Sequence, residues 1–347
     1  MIELGWVPFF QQQLTLEELE TGLPGRVMGV ERSGVTVAYA GGERQIPLGG
    51  RWFQLDAEAR PTIGDWVLLN TEGTQIERLF ERKSVLKRVR AGTTSEIQLL
   101  AANVDTMFVV TSCDEDFNLS RIERYLTLVL DGSIQPVVVL TKRDLVETPE
   151  QLVDQVHELR TGLIVELVNA LDRSTLEGLN VWCGQGQTIA LLGSSGVGKS
   201  TLVNTLTGSQ VQITSSVRDS DGKGRHTTTS RSLHLLPQGG LLLDSPGMRE
   251  LQIADVGSSV SVLFNDIEEL VSRCRFSNCA HEQEPGCAVR AVIEAGDLDA
   301  RRFNSYLKLN REEVHAAESI AERHARSRNF SKQVRQVISQ SHKKHRH

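Results

Sequence analysis

The chain has 347 residues, enough for two or three compact domains, so one nucleotide-sized fold does not fill it. Its net charge of -6 is uneven: Arg323 to His347 holds eight Lys/Arg and no acid, leaving 30 basic against 44 acidic residues elsewhere. Apolar runs such as Val137–Leu140 are strand-length, far short of the roughly 20 residues a bilayer span needs, and Met1–Leu4 lacks the basic start of a secretion signal; a cytoplasmic protein without membrane attachment is expected.

Residues 1–22 read as an N-terminal arm. Residues 23–90 show short alternating runs, with Val35, Val37 and Tyr39 on one face, broken by Gly41-Gly42, Gly49-Gly50 and Pro61–Asp65, which predicts a small β-barrel. Alternation alone fits an OB-type barrel or an SH3-like one. Arg51-Trp52-Phe53, Lys83, Lys87, Arg88 and Arg90 are its candidate RNA contacts, while Trp66 reads as core.

Over residues 91–255 apolar strands alternate with amphipathic helices: Val104–Val110, Leu119–Leu130, Pro136–Leu140, Leu152–Leu159, Gly162–Val168, Thr188–Leu192, a helix opened by Lys199, and Leu241–Leu243. Such alternation predicts a parallel sheet covered on both faces. After the third of these elements stands Thr141-Lys142-Arg143-Asp144. Guanine presents N1–H and an N2 amino group side by side, which one carboxylate accepts together, and Asp144 supplies it with the Lys142 stem packing on the base. Asn169-Ala170, after the next strand, can offer a backbone N–H to the guanine O6.

Strand Thr188–Leu192 runs into Gly193-Ser194-Ser195-Gly196-Val197-Gly198-Lys199-Ser200-Thr201, a phosphate loop in its proper strand–loop–helix context. Its N–H groups and the helix N-terminus cradle phosphates, Lys199 reaches the β- and γ-phosphates, and Ser200 is a Mg2+ ligand. Asp244-Ser245-Pro246-Gly247 supplies a carboxylate on the Mg2+ side and, at Gly247, an N–H for the γ-phosphate. Between them, the polar stretch Asp219–Ser230 offers Thr228 as a further Mg2+ ligand. GTP and GDP are therefore the expected ligands. Gly196 stands where potassium-activated GTPases commonly carry asparagine, so no potassium site is expected.

Residues 256–347 lose the strand pattern, and helical spacing such as Phe303, Tyr306 and Leu307 takes over. Cys274, Cys279, His281 and Cys287 offer three thiolates and one imidazole within fourteen residues, a donor set for one closed tetrahedral Zn2+. Cys113 and Cys183 lie apart and read as ordinary thiols. The basic tail beyond Arg323 suits RNA phosphates, or is a solvated terminus.

The base-reading tetrad precedes the phosphate loop, the reverse of the usual order. Permutation keeps the site because a doubly wound sheet depends on strand neighbours and not on where the chain begins. With Thr141–Asp144, Gly193–Thr201, Gly224–Thr229, Asp244–Gly247 and Cys274-x4-Cys279-x-His281-x5-Cys287 in this order, the sequence resembles the ribosome small-subunit-dependent GTPases, which are circularly permuted. The resemblance implies a multidomain protein: an OB-type barrel, a permuted α/β P-loop GTPase and a mainly helical zinc domain. It implies GTP hydrolysis in late maturation of the small ribosomal subunit, stimulated by that subunit, with the subunit and its rRNA as partners of a monomer. The residue after Gly247 is Met248, which cannot orient water, and the resemblance nominates His226 for that catalytic role beside Lys199 and Thr228.

Overall fold

A computed structural model of the chain describes residues 1–31, 33–89, 97–208, 231–244 and 260–314. His226, Thr228, Gly247, Met248, Arg90 and the basic tail lie outside the described residues, and of Asp244 the backbone alone is described.

Thirteen strands are described: β1 Leu23–Val30, β2 Gly34–Tyr39, β3 Gly42–Pro47, β4 Trp66–Leu69, β5 Ile76–Leu79, β6 Val85–Val89, β7 Ile97–Ala102, β8 Thr106–Ser112, β9 Gln135–Thr141, β10 Ile164–Leu167, β11 Thr188–Leu192, β12 Arg231–Leu235 and β13 Leu241–Asp244. β1 pairs with β2 and β4, β2 with β3, and β4 with β5, all antiparallel. Val27, Val35, Val37, Ile46, Val67, Leu69 and Ile76 fill their common core, as the alternation requires, and Trp66 is buried. No pairing of β3 with β5 occurs among the described residues.

The arm is more than an arm. Its helices Pro8–Gln11 and Leu16–Thr21 are pinned by Phe10, buried against Trp66 with ring centroids 5.7 Å apart, and by Trp6 edge-on to Trp66 and Phe80. Thr15 and Glu18 close a reciprocal capping box on the second helix.

The central sheet runs β10-β9-β8-β11-β13-β12, and β12 continues into the N-terminal antiparallel strands through Gly29↔Ser232 and Val30↔Arg231. The first five strands are parallel; β9, β8, β11 and β13 are buried, while the edge strand β10 is half-buried. Met107, Val109, Val138 and Leu140 face one core, Phe108, Val110, Val137 and Val139 the other. The parallel expectation holds for the five strands read from the sequence; the further strand β12, absent from that reading, is antiparallel to β13. The five residues Leu236–Gly240 between them suffice for a hairpin turn and are too few for a crossover helix.

One buried side chain and one backbone contact lock the units together. Arg26 of β1, 1 % exposed, donates to the Asn103 carbonyl at 3.0 Å, to Thr188 Oγ1 at 2.8 Å and to the Leu4 carbonyl. Burial pulls its pKa down to about 10, with Asp105 and Asp65 holding it charged. Among the described residues β6 and β7 pair only with each other, and the Val85 N–H bonds the Gly132 carbonyl at 3.0 Å. Among the described residues the C-terminal portion is helical, with helices Val260–Leu263, Asn265–Ser272, Ala288–Ala295 and 300–314. Phe303, Tyr306 and Leu309 are buried in the core shared with the sheet.

Candidate nucleotide and metal sites

Strand order reverses direction between β8 and β11: β9 and β10 lie to one side, β13 and β12 to the other. The crevice beyond the carboxyl ends of the strands at such a switch point is where open α/β sheets hold ligands. Every described residue expected to contact base or phosphate stands at a carboxyl end on this edge: the tetrad at the end of β9, Asn169-Ala170 after β10, and the phosphate loop after β11. Two residues 56 apart in sequence become adjacent, since the Thr141 hydroxyl donates to the Val197 carbonyl at 2.6 Å.

Gly193 packs so closely on β8 that a Cβ would collide with the Val110 carbonyl. Gly198, at φ 91°, is the N-cap from which the Lys199–Thr207 helix starts. Both glycines are demanded by geometry. Val197 is fully buried, anchoring the loop, while Ser195, Gly196 and Ser200 are exposed. The Lys199 ammonium folds over the loop onto the carbonyls of Gly193, at 2.7 Å, and Ser194. That places a cation and a row of backbone N–H groups around one cradle, suited to phosphate oxygens. Thr201 follows on the same helix.

On the base side, Lys142 takes the left-handed conformation, φ 57°, and its ammonium bonds Asp114 Oδ2 at 2.8 Å. The Lys142 hydrogen bond, helped by Ser112 Oγ at 2.6 Å, holds the Asp114 carboxyl down at about 2. Asp144 is exposed in the 3-10 turn Arg143–Leu145. The Asn169–Ala170 turn is fixed by the Asn169 N–H to Thr175 Oγ1, 3.0 Å, and by Thr205 Oγ1 of the phosphate-loop helix to the Ala170 carbonyl, 2.6 Å. The base loops and the phosphate loop thus share hydrogen bonds.

Sequence reasoning missed Asp114 and Asp116, which stand after β8 on the same edge. Ser194 Oγ donates to Asp116 Oδ2 at 2.7 Å, and Arg121 pairs with Asp116 at 2.9 Å. A run of Asp-Glu-Asp directly after an apolar strand was the available signal.

Residues 79–254 match the family model described as RsgA GTPase. A "Small ribosomal subunit biogenesis GTPase RsgA 2" from Vibrio parahaemolyticus is 49% identical over 342 residues, covering 99% of this chain and 94% of the relative. The chain belongs to the RsgA GTPase family. It is a GTPase, for which guanine nucleotide and Mg2+ are the implied ligands. An RsgA from Mesorhizobium japonicum is 43% identical over 91% of this chain and 90% of its own. The crystal structure of YjeQ from Thermotoga maritima superposes with TM-score 0.62 at 25% identity, covering 84% of this chain and 99% of that one. YloQ, titled a circularly permuted GTPase, shares the fold at TM-score 0.58 over 87% and 96%. An ABC transporter model also matches residues 176–344; that span holds the phosphate loop common to both enzyme classes but omits Thr141–Asp144.

This RsgA-family chain gathers Cys274, Cys279, His281 and Cys287 so that one ligand atom from each lies within 4.8 Å of the others. Cys274 Sγ to Cys287 Sγ is 4.0 Å, and His281 Nδ1 lies 3.6 and 3.5 Å from those two sulfurs. Zn–S bonds of ~2.3 Å put tetrahedral corners ~3.8 Å apart, so the cluster fits zinc in both donor set and size. His281 at φ 61° turns its ring inward, with Phe303 packed edge-on at 5.6 Å. Cys287 also caps the Ala288–Ala295 helix, accepting from the Arg290 N–H at 3.5 Å. Cys113 and Cys183 are buried, and burial pushes their thiols up to about 11 and about 12, in keeping with inert core cysteines.

The barrel contacts expected for RNA fare unevenly. Trp52 is buried, with the Arg51 guanidinium 4.9 Å from its ring centre, so it is no stacking platform. Lys83 and Lys87 pair with Asp105 and Glu58, while Phe53 is exposed. Among the described residues no helix is long and apolar enough to cross a membrane.

Proposed function

We propose that this GTPase acts in late maturation of the small ribosomal subunit, binding the immature particle and its rRNA as a cytoplasmic monomer and leaving when subunit-stimulated hydrolysis converts GTP to GDP. The observation that carries the reading is the meeting of a guanine tetrad and a phosphate loop at one switch point, in a chain whose relatives are named for small-subunit biogenesis. Asp144 and Lys142 read the base, Asn169 and Ala170 its O6 edge. The loop Gly193–Thr201 holds the phosphates, with Lys199 on the β- and γ-phosphates. Ser200, Thr228 and Asp244 hold Mg2+, and Gly247 senses the γ-phosphate. His226 supplies the water-orienting group that Met248 lacks, and one Zn2+ on Cys274, Cys279, His281 and Cys287 holds the C-terminal domain together. Residues 23–90 form the OB-type unit, 91–255 the GTPase and 256–347 the zinc domain with its basic tail.

When bound, Mg2+ neutralises charge developing on the transferred phosphoryl group. The chain's own part is positioning: Lys199 and the loop N–H groups fix the phosphates, and the base loops fix register. Phosphate release from GTP and ATP, with and without purified small subunits, tests the proposal. Turnover should need GTP and rise steeply with subunits; equal use of ATP, or no response to subunits, would sink it. His226→Ala should abolish most of the stimulated rate.

A further inference from the structure

Between the Leu119–Asp131 helix of the GTPase unit and helix 300–314 lies a cleft of about 800 Å³. Its lining includes Arg121, Arg124, Arg301 and Lys308, with the amides of Asn118 and Asn304, and no carboxylate. Carboxylates stand outside it: Asp116 holds Arg121 at 2.9 Å, Glu123 and Asp299 hold Arg301 at 3.0 and 3.1 Å, and Glu312 holds Arg124. These partners fix the guanidiniums in place while using only part of their five N–H donors. Lys308 is exposed and has no acidic partner among the described residues.

We propose that this interdomain cleft seats the phosphodiester backbone of RNA. The inference deepens the functional reading above and rests on it. A pocket offering four cations and neutral amide and hydroxyl donors, set in a body that is acidic outside its tail, matches phosphates and ribose hydroxyls. Arg121 gives the cleft a line to the nucleotide. It pairs with Asp116, which accepts from the Ser194 hydroxyl of the phosphate loop at 2.7 Å. An RNA phosphate that draws Arg121 toward the cleft loosens its hold on Asp116 and so alters how the loop is braced. The same cleft is walled by both units, so its occupant also fixes one against the other.

The test uses the full-length, zinc-loaded protein with a slowly hydrolysed GTP analogue and purified small subunits across a salt series. Lys308→Glu and Asn304→Asp alter exposed side chains and should fold normally. Lys308→Glu should weaken subunit binding about tenfold at low salt and flatten the slope of log K against log salt by about one, with Asn304→Asp acting in the same direction and basal turnover unchanged. A photoreactive residue at position 304 should capture the subunit's RNA. Asp116→Asn should keep subunit affinity but lower the ratio of stimulated to basal turnover. Wild-type binding that neither cleft substitution alters, or capture of a subunit protein at position 304, overturns the cleft; an unchanged stimulation ratio in Asp116→Asn overturns the relay. A wild-type chain that binds no subunit fails earlier, at the functional reading itself.

Discussion

At the scale of single residues, the base site turns on hydrogen-bond polarity. Asp144 can only accept, so it matches the paired donors of guanine; an amide in its place presents a donor to them. Asp144→Asn should weaken GTP binding by about 1.5–3 kcal/mol, roughly ten- to hundredfold, and restore binding to xanthosine triphosphate, whose O2 accepts. Competition binding with both nucleotides checks it. Beside it, Asp114 titrates below its unfolded value of about 3.9, since Lys142 and Ser112 stabilise the charged form at about 2. The depressed value means that the pair's contribution to stability is complete above about pH 4 and is lost as pH falls toward 2. Acid unfolding of Asp114→Asn should lack that part of the pH dependence, while the Asp114 carboxylate stays charged between pH 6 and 8. Lys142 was legible from its motif. Asp114 was not, because an acidic run after a strand acquires its meaning only when β8 and β9 are neighbours.

At the scale of elements, the strand–loop–helix around Gly193–Ser200 is written in a short stretch of sequence: an apolar strand, a glycine at 193 where a Cβ cannot fit, glycines at 196 and 198 with positive φ, and a helix starting at Lys199. Gly193→Ala should misplace the loop through its clash with the Val110 carbonyl, weakening both GTP and GDP binding, whereas Gly196, with open space around its Cα, differs only through its φ of 84°. Titration with both nucleotides separates the two. The Leu119–Asp131 helix is equally well announced, by its amphipathic spacing and by the Asn118 cap on the Arg121 N–H at 2.9 Å. What spacing could not announce is that this helix carries a buried charge. Glu123 is fully buried because Arg301, at 3.0 Å, and Arg302, at 3.5 Å, reach it from helix 300–314. Breaking one side of such a pair leaves desolvated charge behind, so Glu123→Ala should cost about 3 kcal/mol and raise hydrogen exchange in helix 300–314 before it does so in β8 and β9.

At the scale of the whole molecule, a continuous sheet and a shared core tie the barrel, the nucleotide sheet and the C-terminal helices together. The metal cluster has its own reach. Chelation should unfold the segment around Cys274–Cys287 and loosen helix 300–314, since Phe303 packs on His281 at 5.6 Å, while GTP binding persists because no loop of the switch-point crevice contains a cluster ligand. Circular dichroism and nucleotide titration after chelation check both halves. The sequence by itself determined the five parallel strands, the permuted motifs, the phosphate loop and the Cys/His set suited to zinc, because each depends on neighbours within a few residues or on a fixed spacing. The tertiary structure alone decided that β12 turns back antiparallel and joins the barrel, that Trp52 goes inward, that Arg26 pins three segments, and that Asp116 and Arg121 link the phosphate loop to a basic cleft. Those features arise between residues far apart in the chain, where burial and charge pairing are set by whichever surfaces the completed sheet brings face to face, and no local pattern encodes that meeting.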